Sequence, residues 1–284
     1  MHWTDRRERY RAVIGGNECI HPGSVFDAIS ARIAEELGFE IGMFAGSIGS
    51  FSVLGNPDLI LLTLTEFAQQ TYRINRAGKL PLMVDADHVY GNALNVMRTI
   101  QELETAGVAG IMIEDTVLPR QFGETTPTLT SLEEGIGKMR AALAAREDKS
   151  LVIIGRTSAA AIAGPDEALK RARAYAKEGV DALFFAGGVT KDLLEALHAE
   201  IKIPLMLGGG GSVGDKAYLG SMGVRVALQG HQPFSAAVQA VYTTLKALRD
   251  GTKPSELTGI ASSEMMAKVT RAGEFKTWTE KFLS

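Results

Sequence analysis

Acidic residues gather directly after two short apolar runs. Asp85 and Asp87 follow LPLMV at 80–84, and Glu114 and Asp115 follow AGIMI at 109–113. Carboxylate oxygens are hard anionic donors that suit Mg²⁺ or Mn²⁺, ions that take few direct protein ligands and keep waters between. One acid at the start of a loop is ordinarily solvated or caps the next helix. Asp85, Asp87 and Glu114 arriving from consecutive runs form a set, and a set of acids calls for a cation. Asp58, after Pro57 in the preceding loop, either joins them or caps a turn. Arg156 emerges from LVIIG at 151–155, where an unpaired guanidinium would be costly. It needs an anionic partner, either an acid of this chain or a substrate carboxylate. His231, within GHQP at 230–233, is either a hydrogen-bonding residue or an acid–base group. Ser47, flanked by glycine in GSIG at 46–49, can donate with nearby backbone N–H groups to a developing oxyanion, but it lacks the GxSxG spacing of a nucleophile elbow.

Other chemistries are disfavoured by what is missing. Lys79, Lys149 and Lys202 all precede apolar runs rather than follow them, which argues against a Schiff-base enzyme. The single cysteine, Cys19, falls inside the first apolar run, ECIH at 18–21, and so is expected in a strand, away from thiol catalysis. The tetraglycine at 208–211 permits close backbone approach to a phosphate, but no Lys or Arg stands in that turn, and a tight turn is the expected reading.

The elements that must position these groups are legible as a repeat. Strand-length apolar runs occur at 18–21, 41–44, 80–84, 109–113, 151–155, 181–185, 203–207 and 224–228. Most are continuous rather than alternating, as in strands covered on both faces. Between them lie helical patterns at 24–37, 64–77, 91–107, 131–146 and 165–179, with Ser131 ahead of Glu133 and Glu134 and Pro165 at a first helical position. Eight βα units without a linker predict one α/β domain over 1–284, a (β/α)8 TIM barrel with additional C-terminal helices. Chemistry in such a barrel sits at the carboxyl ends of the strands, where the acids, Arg156 and His231 are expected. The segment 251–284 is a helical extension, and its amphipathic helix at 262–283 is expected to pack Met265, Met266, Val269, Phe275, Trp278 and Phe282 on the barrel or on a neighbouring subunit.

Composition narrows the partners. A net charge of −3, from 30 Lys+Arg against 33 Asp+Glu, leaves no basic surplus for a phosphate backbone, so no nucleic acid is expected. No uninterrupted apolar stretch approaches 18 residues and the amino terminus has no apolar signal region, so no membrane partner and no targeting segment are expected. One cysteine excludes an internal disulfide and suits a reducing, cytoplasmic setting.

These residues together resemble the isocitrate lyase and phosphoenolpyruvate mutase superfamily. The matching stretches are HPGSVFDAISARIAEELGF at 21–39, AGSIGSFSVLGNPD at 45–58, MVDADHVYGN at 83–92, IMIEDTVLPRQFG at 111–123 and IIGRT at 153–157. The resemblance implies a (β/α)8 barrel, a homotetramer that exchanges a C-terminal helix, and Mg²⁺ used to bind 2-oxo acids or their enolates. The lyase branch carries a Lys-Lys-Cys-Gly-His type motif in the loop after strand four. Here the loop reads PRQFG at 119–123, with Phe122 at the cysteine position, so isocitrate-type cleavage is not expected. With QGHQPF at 229–234, the chain looks most like the branch that decarboxylates oxaloacetate to pyruvate and CO₂. By that likeness Asp85 is the metal-associated carboxylate, and Ser47, Arg156 and His231 contact substrate. The alternatives are C–C cleavage or phosphonopyruvate chemistry on a related 2-oxo acid, and a non-catalytic barrel that binds such an acid.

Overall fold

The computed structural model describes residues 3–284; Met1 and His2, which begin the charged amino-terminal stretch, lie outside the described residues. Eight parallel strands follow one another in sequence order. They are β1 (Gly23–Ser24), β2 (Gly42–Ala45), β3 (Leu82–Asp85), β4 (Gly110–Glu114), β5 (Val152–Thr157), β6 (Ala182–Phe185), β7 (Leu205–Leu207) and β8 (Val224–Ala227). Ile20 completes the circle by bridging Val226 in parallel, its N–H donating to the Arg225 carbonyl and its carbonyl accepting from the Ala227 N–H. The first strand expected at 18–21 is thus reduced to one bridge. Pro22 has no N–H to continue that ladder, and pairing with β2 starts only at Gly23.

Helices cover the outside: α1 (Trp3–Ile14), α2 (Ala28–Glu36), α3 (Gly46–Gly49), α4 (Leu64–Arg76), α5 (Ala93–Thr105), α6 (Leu132–Ala145), α7 (Ala159–Ile162), α8 (Pro165–Glu178), α9 (Lys191–Glu200) and α10 (Lys216–Ser221). α2 starts later than its pattern at 24–37 suggests. Asp27 holds extended backbone at φ −154° and accepts from the Ser30 N–H, and the Ser30 hydroxyl accepts from the Asp27 N–H, closing a capping box that fixes the first turn. Ser131 caps α6 and Pro165 opens α8, as expected.

α1 plugs the amino-terminal end of the barrel. Its Tyr10 is fully buried with the hydroxyl 3.8 Å from the Met83 sulfur, while Arg7 donates to the Val108 and Glu104 carbonyls and Arg11 to Ser150 and Lys149. Those carbonyls lie at the end of α5 and in the loops that precede β4 and β5, and the guanidiniums satisfy them. Lys79, Lys149 and Lys202 sit ahead of β3, β5 and β7, at this closed end. Chemistry is left to the other rim.

Beyond β8 the chain forms α11 (Gln232–Arg249), α12 (Ser263–Thr270) and α13 (Ala272–Phe282). The single helix expected over 262–283 is broken at Arg271, whose φ of +59° ends one helix and starts another. α12 is tied to α2 by Lys268 to Glu36 at 2.7 Å and Arg271 to Glu35 at 3.3 Å. Of the six apolar residues expected to pack, only Val269 is buried; Met265, Met266, Phe275, Trp278 and Phe282 are exposed, so packing on this chain's own barrel is corrected for those five. α11 buries no residue at all.

Candidate active site

Strand parity delivers the central side chains. Asp85 is the last residue of β3, Glu114 the last of β4, and Arg156 the next to last of β5; Glu114 and Arg156 are register partners. Alternate residues of a strand share a face, so Met83 and Asp85, Met112 and Glu114, and Ile154 and Arg156 point the same way. Arg156 forms ion pairs with both Asp85 and Glu114, the latter at 3.2 Å, and its guanidinium stands 6.0 Å from the Phe184 ring. Of the two partners open from sequence, acids of this chain are the ones found. Burial works against the Arg156 charge, but Asp85 and Glu114 outweigh it and hold the guanidinium protonated. Its Nε remains buried without a partner.

Asp87 reaches the same place by an unusual backbone. Its φ is +49°, and Val89 and Tyr90 follow at +58° and +63°, conformations that cost on the order of 1–3 kcal/mol each outside glycine. The turn is held by the Asp87 N–H donating to Asp85 Oδ1 at 3.2 Å, by the Glu114 N–H donating to the Asp87 carbonyl at 3.2 Å, and by the buried Thr99 hydroxyl donating to the Val89 carbonyl at 3.0 Å. Gly46 gives way on the facing side: a β-carbon there would collide with the Asp87 carboxylate.

These groups line a cavity of about 890 Å³ together with Asp58, Ser47 and His231. All seven residues singled out from sequence therefore reach one cavity, and Asp58, for which capping a turn was the alternative, lines it with the other acids. Burial, followed by repulsion from Asp85 and Asp58, holds the Asp87 carboxyl well above the usual range. Burial likewise raises Asp58 and Glu114, with Arg156 opposing in both. His231 lies just ahead of α11 with its Nδ1 2.8 Å from the Ser24 hydroxyl, leaving Nε2 for other partners. Burial lowers its pKa, opposed by Asp85, so the imidazole favours the neutral form.

Asp115 parts company with this group. It is fully buried, 3.0 Å from Arg171 Nη1 and 2.7 Å from the Tyr175 hydroxyl, and Arg171 also donates to the Thr130 carbonyl. Asp115 therefore ties both ends of the loop after β4 to α8. The glycines at 208–211 form a turn between this cavity and a second one of about 830 Å³, which Lys216 also lines.

Among the described residues no three His, Cys, Asp or Glu side chains close into a metal cage. The donor set nonetheless fits Mg²⁺. Four carboxylates face one cavity with Arg156 paired to only two of them, and the raised Asp87 carboxyl registers charge that the protein leaves uncompensated. An ion held by one or two carboxylates, with water and substrate completing its shell, needs no such cage.

Residues 16–249 match the phosphoenolpyruvate phosphomutase family. The chain belongs to that family. A relative from Rhodopseudomonas palustris (strain BisB18), named oxaloacetate decarboxylase, is 55% identical over 100% of this chain and 99% of its own. The phosphoenolpyruvate phosphomutase of Streptomyces platensis subsp. rosaceus superposes with a TM-score of 0.86 at 28% identity, covering 98% of this chain and 99% of its own. A phosphonopyruvate hydrolase in complex with oxalate and Mg²⁺ gives 0.85 at 26% identity, over 98% and 99%.

Four residues of this phosphomutase-family site escaped the sequence reading. The Thr116 hydroxyl donates to Glu114 Oε1 at 2.5 Å, the Ser158 hydroxyl reaches the same oxygen at 3.4 Å, Ser24 holds His231, and Arg120 lines the cavity from the loop after β4. Thr116 and Ser158 lie two residues beyond Glu114 and Arg156, and that parity was the available signal. Ser24 carried none, because its partner is 207 residues away.

Proposed function

We propose that this chain decarboxylates oxaloacetate to pyruvate and CO₂, with Mg²⁺ as its ion and Mn²⁺ as a substitute. The observation that carries the reading is the 55% identity, over the whole chain, to a relative named oxaloacetate decarboxylase. The acid-lined cavity supports it, as does the position of Lys79, Lys149 and Lys202 at the far end of the barrel, away from any Schiff-base role.

When bound, the ion supplies Lewis-acid polarisation of the 2-oxo group. Asp85, Asp87, Glu114 and Asp58 are the residues that would hold it, directly or through water. Arg156, fixed by Asp85 and Glu114 on the cavity wall, presents its guanidinium charge to a substrate carboxylate. The C3–C4 bond breaks, the C4 carboxylate departs as CO₂, and the electron pair moves into C2–C3 as negative charge gathers on the C2 oxygen. Ser47 donates its hydroxyl to that oxygen, a contact worth roughly 3 kcal/mol in comparable sites. His231, held by Ser24 through Nδ1, presents Nε2 to the substrate and assists proton delivery to C3. No step needs a covalent nucleophile.

Incubation with oxaloacetate, with products followed by NMR, tests this reading. Pyruvate and CO₂ support it. Oxalate and acetate, or turnover of phosphonopyruvate alone, would replace it with the chemistries named for two solved neighbours, an oxaloacetate acetylhydrolase at 27% identity and a phosphonopyruvate hydrolase at 26%.

The homotetramer with exchanged C-terminal helices belongs to the same proposal. α11 buries nothing and exposes Val238, Val241, Tyr242 and Leu245, an apolar stripe that a second copy would cover. No described helix is long and apolar enough to cross a membrane. The lone, buried Cys19 suits a reducing, cytoplasmic setting.

A further inference from the structure

The cavity has an electrostatic problem that its floor does not solve. A 2-oxo diacid carries two negative charges, and the walls already hold Asp58, Asp85, Asp87 and Glu114. Arg156 is engaged with Asp85 and Glu114, so its charge is largely spent on the protein's own acids. One other guanidinium lines the cavity. Arg120 sits on the loop after β4, exposed, with no ion pair or hydrogen bond to any described residue. Its neighbours on that wall are Leu118, Pro119 and Pro127, which offer no competing charge. The loop's ends are fixed by Asp115, Arg171 and Thr130, so Arg120 is carried on a segment anchored at its base.

We propose that Arg120 is the specificity residue for the second carboxylate of the substrate, selecting dicarboxylic over monocarboxylic 2-oxo acids. This rests on the reading of the cavity as a 2-oxo acid site. The inner acids and Arg156 handle the two-carbon end that carries the 2-oxo group, and Arg120 meets the distal carboxylate at the rim. The chemistry gives the contact a distinctive kinetic signature. As C3–C4 breaks, the distal carboxylate loses its charge and becomes neutral CO₂, so a cation paired with it stabilises the bound substrate more than the transition state. Arg120 therefore contributes to capture and selection, and not to the chemical step.

The test is Arg120→Gln and Arg120→Lys in the full chain, with Mg²⁺ present. For Arg120→Gln, KM for oxaloacetate is expected to rise about 10-fold, a 1.4 kcal/mol change, while kcat rises by a smaller factor because the pairing is only partly kept in the transition state. Arg120→Lys should fall between, because the charge is kept and the bidentate fork is lost. Inhibition by oxalate, which has only the two-carbon end, should be the same in all three proteins. The KM of the parent should climb with ionic strength and that of Arg120→Gln should not, because a rim charge is screened. A fall in kcat at constant KM, or oxalate inhibition weakened in step with KM, would overturn the proposal. Should the parent fail to turn over oxaloacetate, the proposed activity falls on that result alone. Calorimetric binding of oxaloacetate against pyruvate to parent and Arg120→Gln then reads the inference separately, and equal selectivity in both proteins refutes it.

Discussion

Glu114 and Arg156 are register partners across β4 and β5, and their carboxylate and guanidinium meet at 3.2 Å. The same guanidinium pairs with Asp85 at the end of β3. One cation thus ties together the rims of strands that carry three of the cavity's charged residues, and its loss strands two carboxylates at once.

Arg156→Ala should therefore lower kcat/KM by about 10³-fold, well beyond the loss from any single neutral hydrogen bond. His231→Ala should cost about 10-fold, since water can protonate C3 in its place. Steady-state kinetics on both variants checks the ranking; equal and mild losses would refute it. Arg156→Ala should also destabilise the fold by about 3 kcal/mol, because it leaves buried acids unpaired.

Treatment with EDTA should abolish turnover, and Mg²⁺ should restore it, Mn²⁺ serving as a substitute. Activity that survives full chelation would remove the ion from the scheme.

The pH dependence has a definite sign. In the metal-free protein the carboxyls of Asp87, Asp58 and Glu114 are raised on folding, so their contribution to stability is full below the ordinary carboxylate range and is lost as pH rises through the raised values. His88, held down at about 4 by burial and then by Lys138, acts oppositely: its contribution is present above the ordinary histidine value and lost as pH falls through about 4. Mg²⁺ binds the ionised carboxylates and must displace their protons. The rise in Tm on adding Mg²⁺ should accordingly be larger near pH ~7.5 than near pH ~5. Scanning calorimetry at both pH values decides it, and equal shifts count against a carboxylate-held ion.

Ser24→Ala should release His231 Nδ1 and cost about 3- to 10-fold in kcat, the worth of one hydrogen bond, with a displaced acidic limb of the pH–rate profile. An unchanged profile would make Ser24 a packing residue only.

Arg171→Met should destabilise the protein by about 3–5 kcal/mol, because Asp115 is left buried without its partner. Chemical denaturation measures it, and a neutral result would mean that Tyr175 alone satisfies Asp115.

The repeat of continuous apolar runs determined the barrel. Strands covered on both faces need uninterrupted apolar residues, and that local property stands in the sequence at β2 to β8. It also placed Asp85, Glu114 and Arg156 at one rim, because chain direction alone decides which end of a parallel strand a residue occupies. Pairing between distant residues was settled only in three dimensions. Glu114 and Asp115 are adjacent and chemically alike, yet strand parity sends one to the cavity and the other beneath the loop to Arg171. The choice of Arg156's partners, the Ser24–His231 contact and the left-handed turn that brings Asp87 beside Gly46 depend on strand register and backbone curvature, which no local pattern encodes.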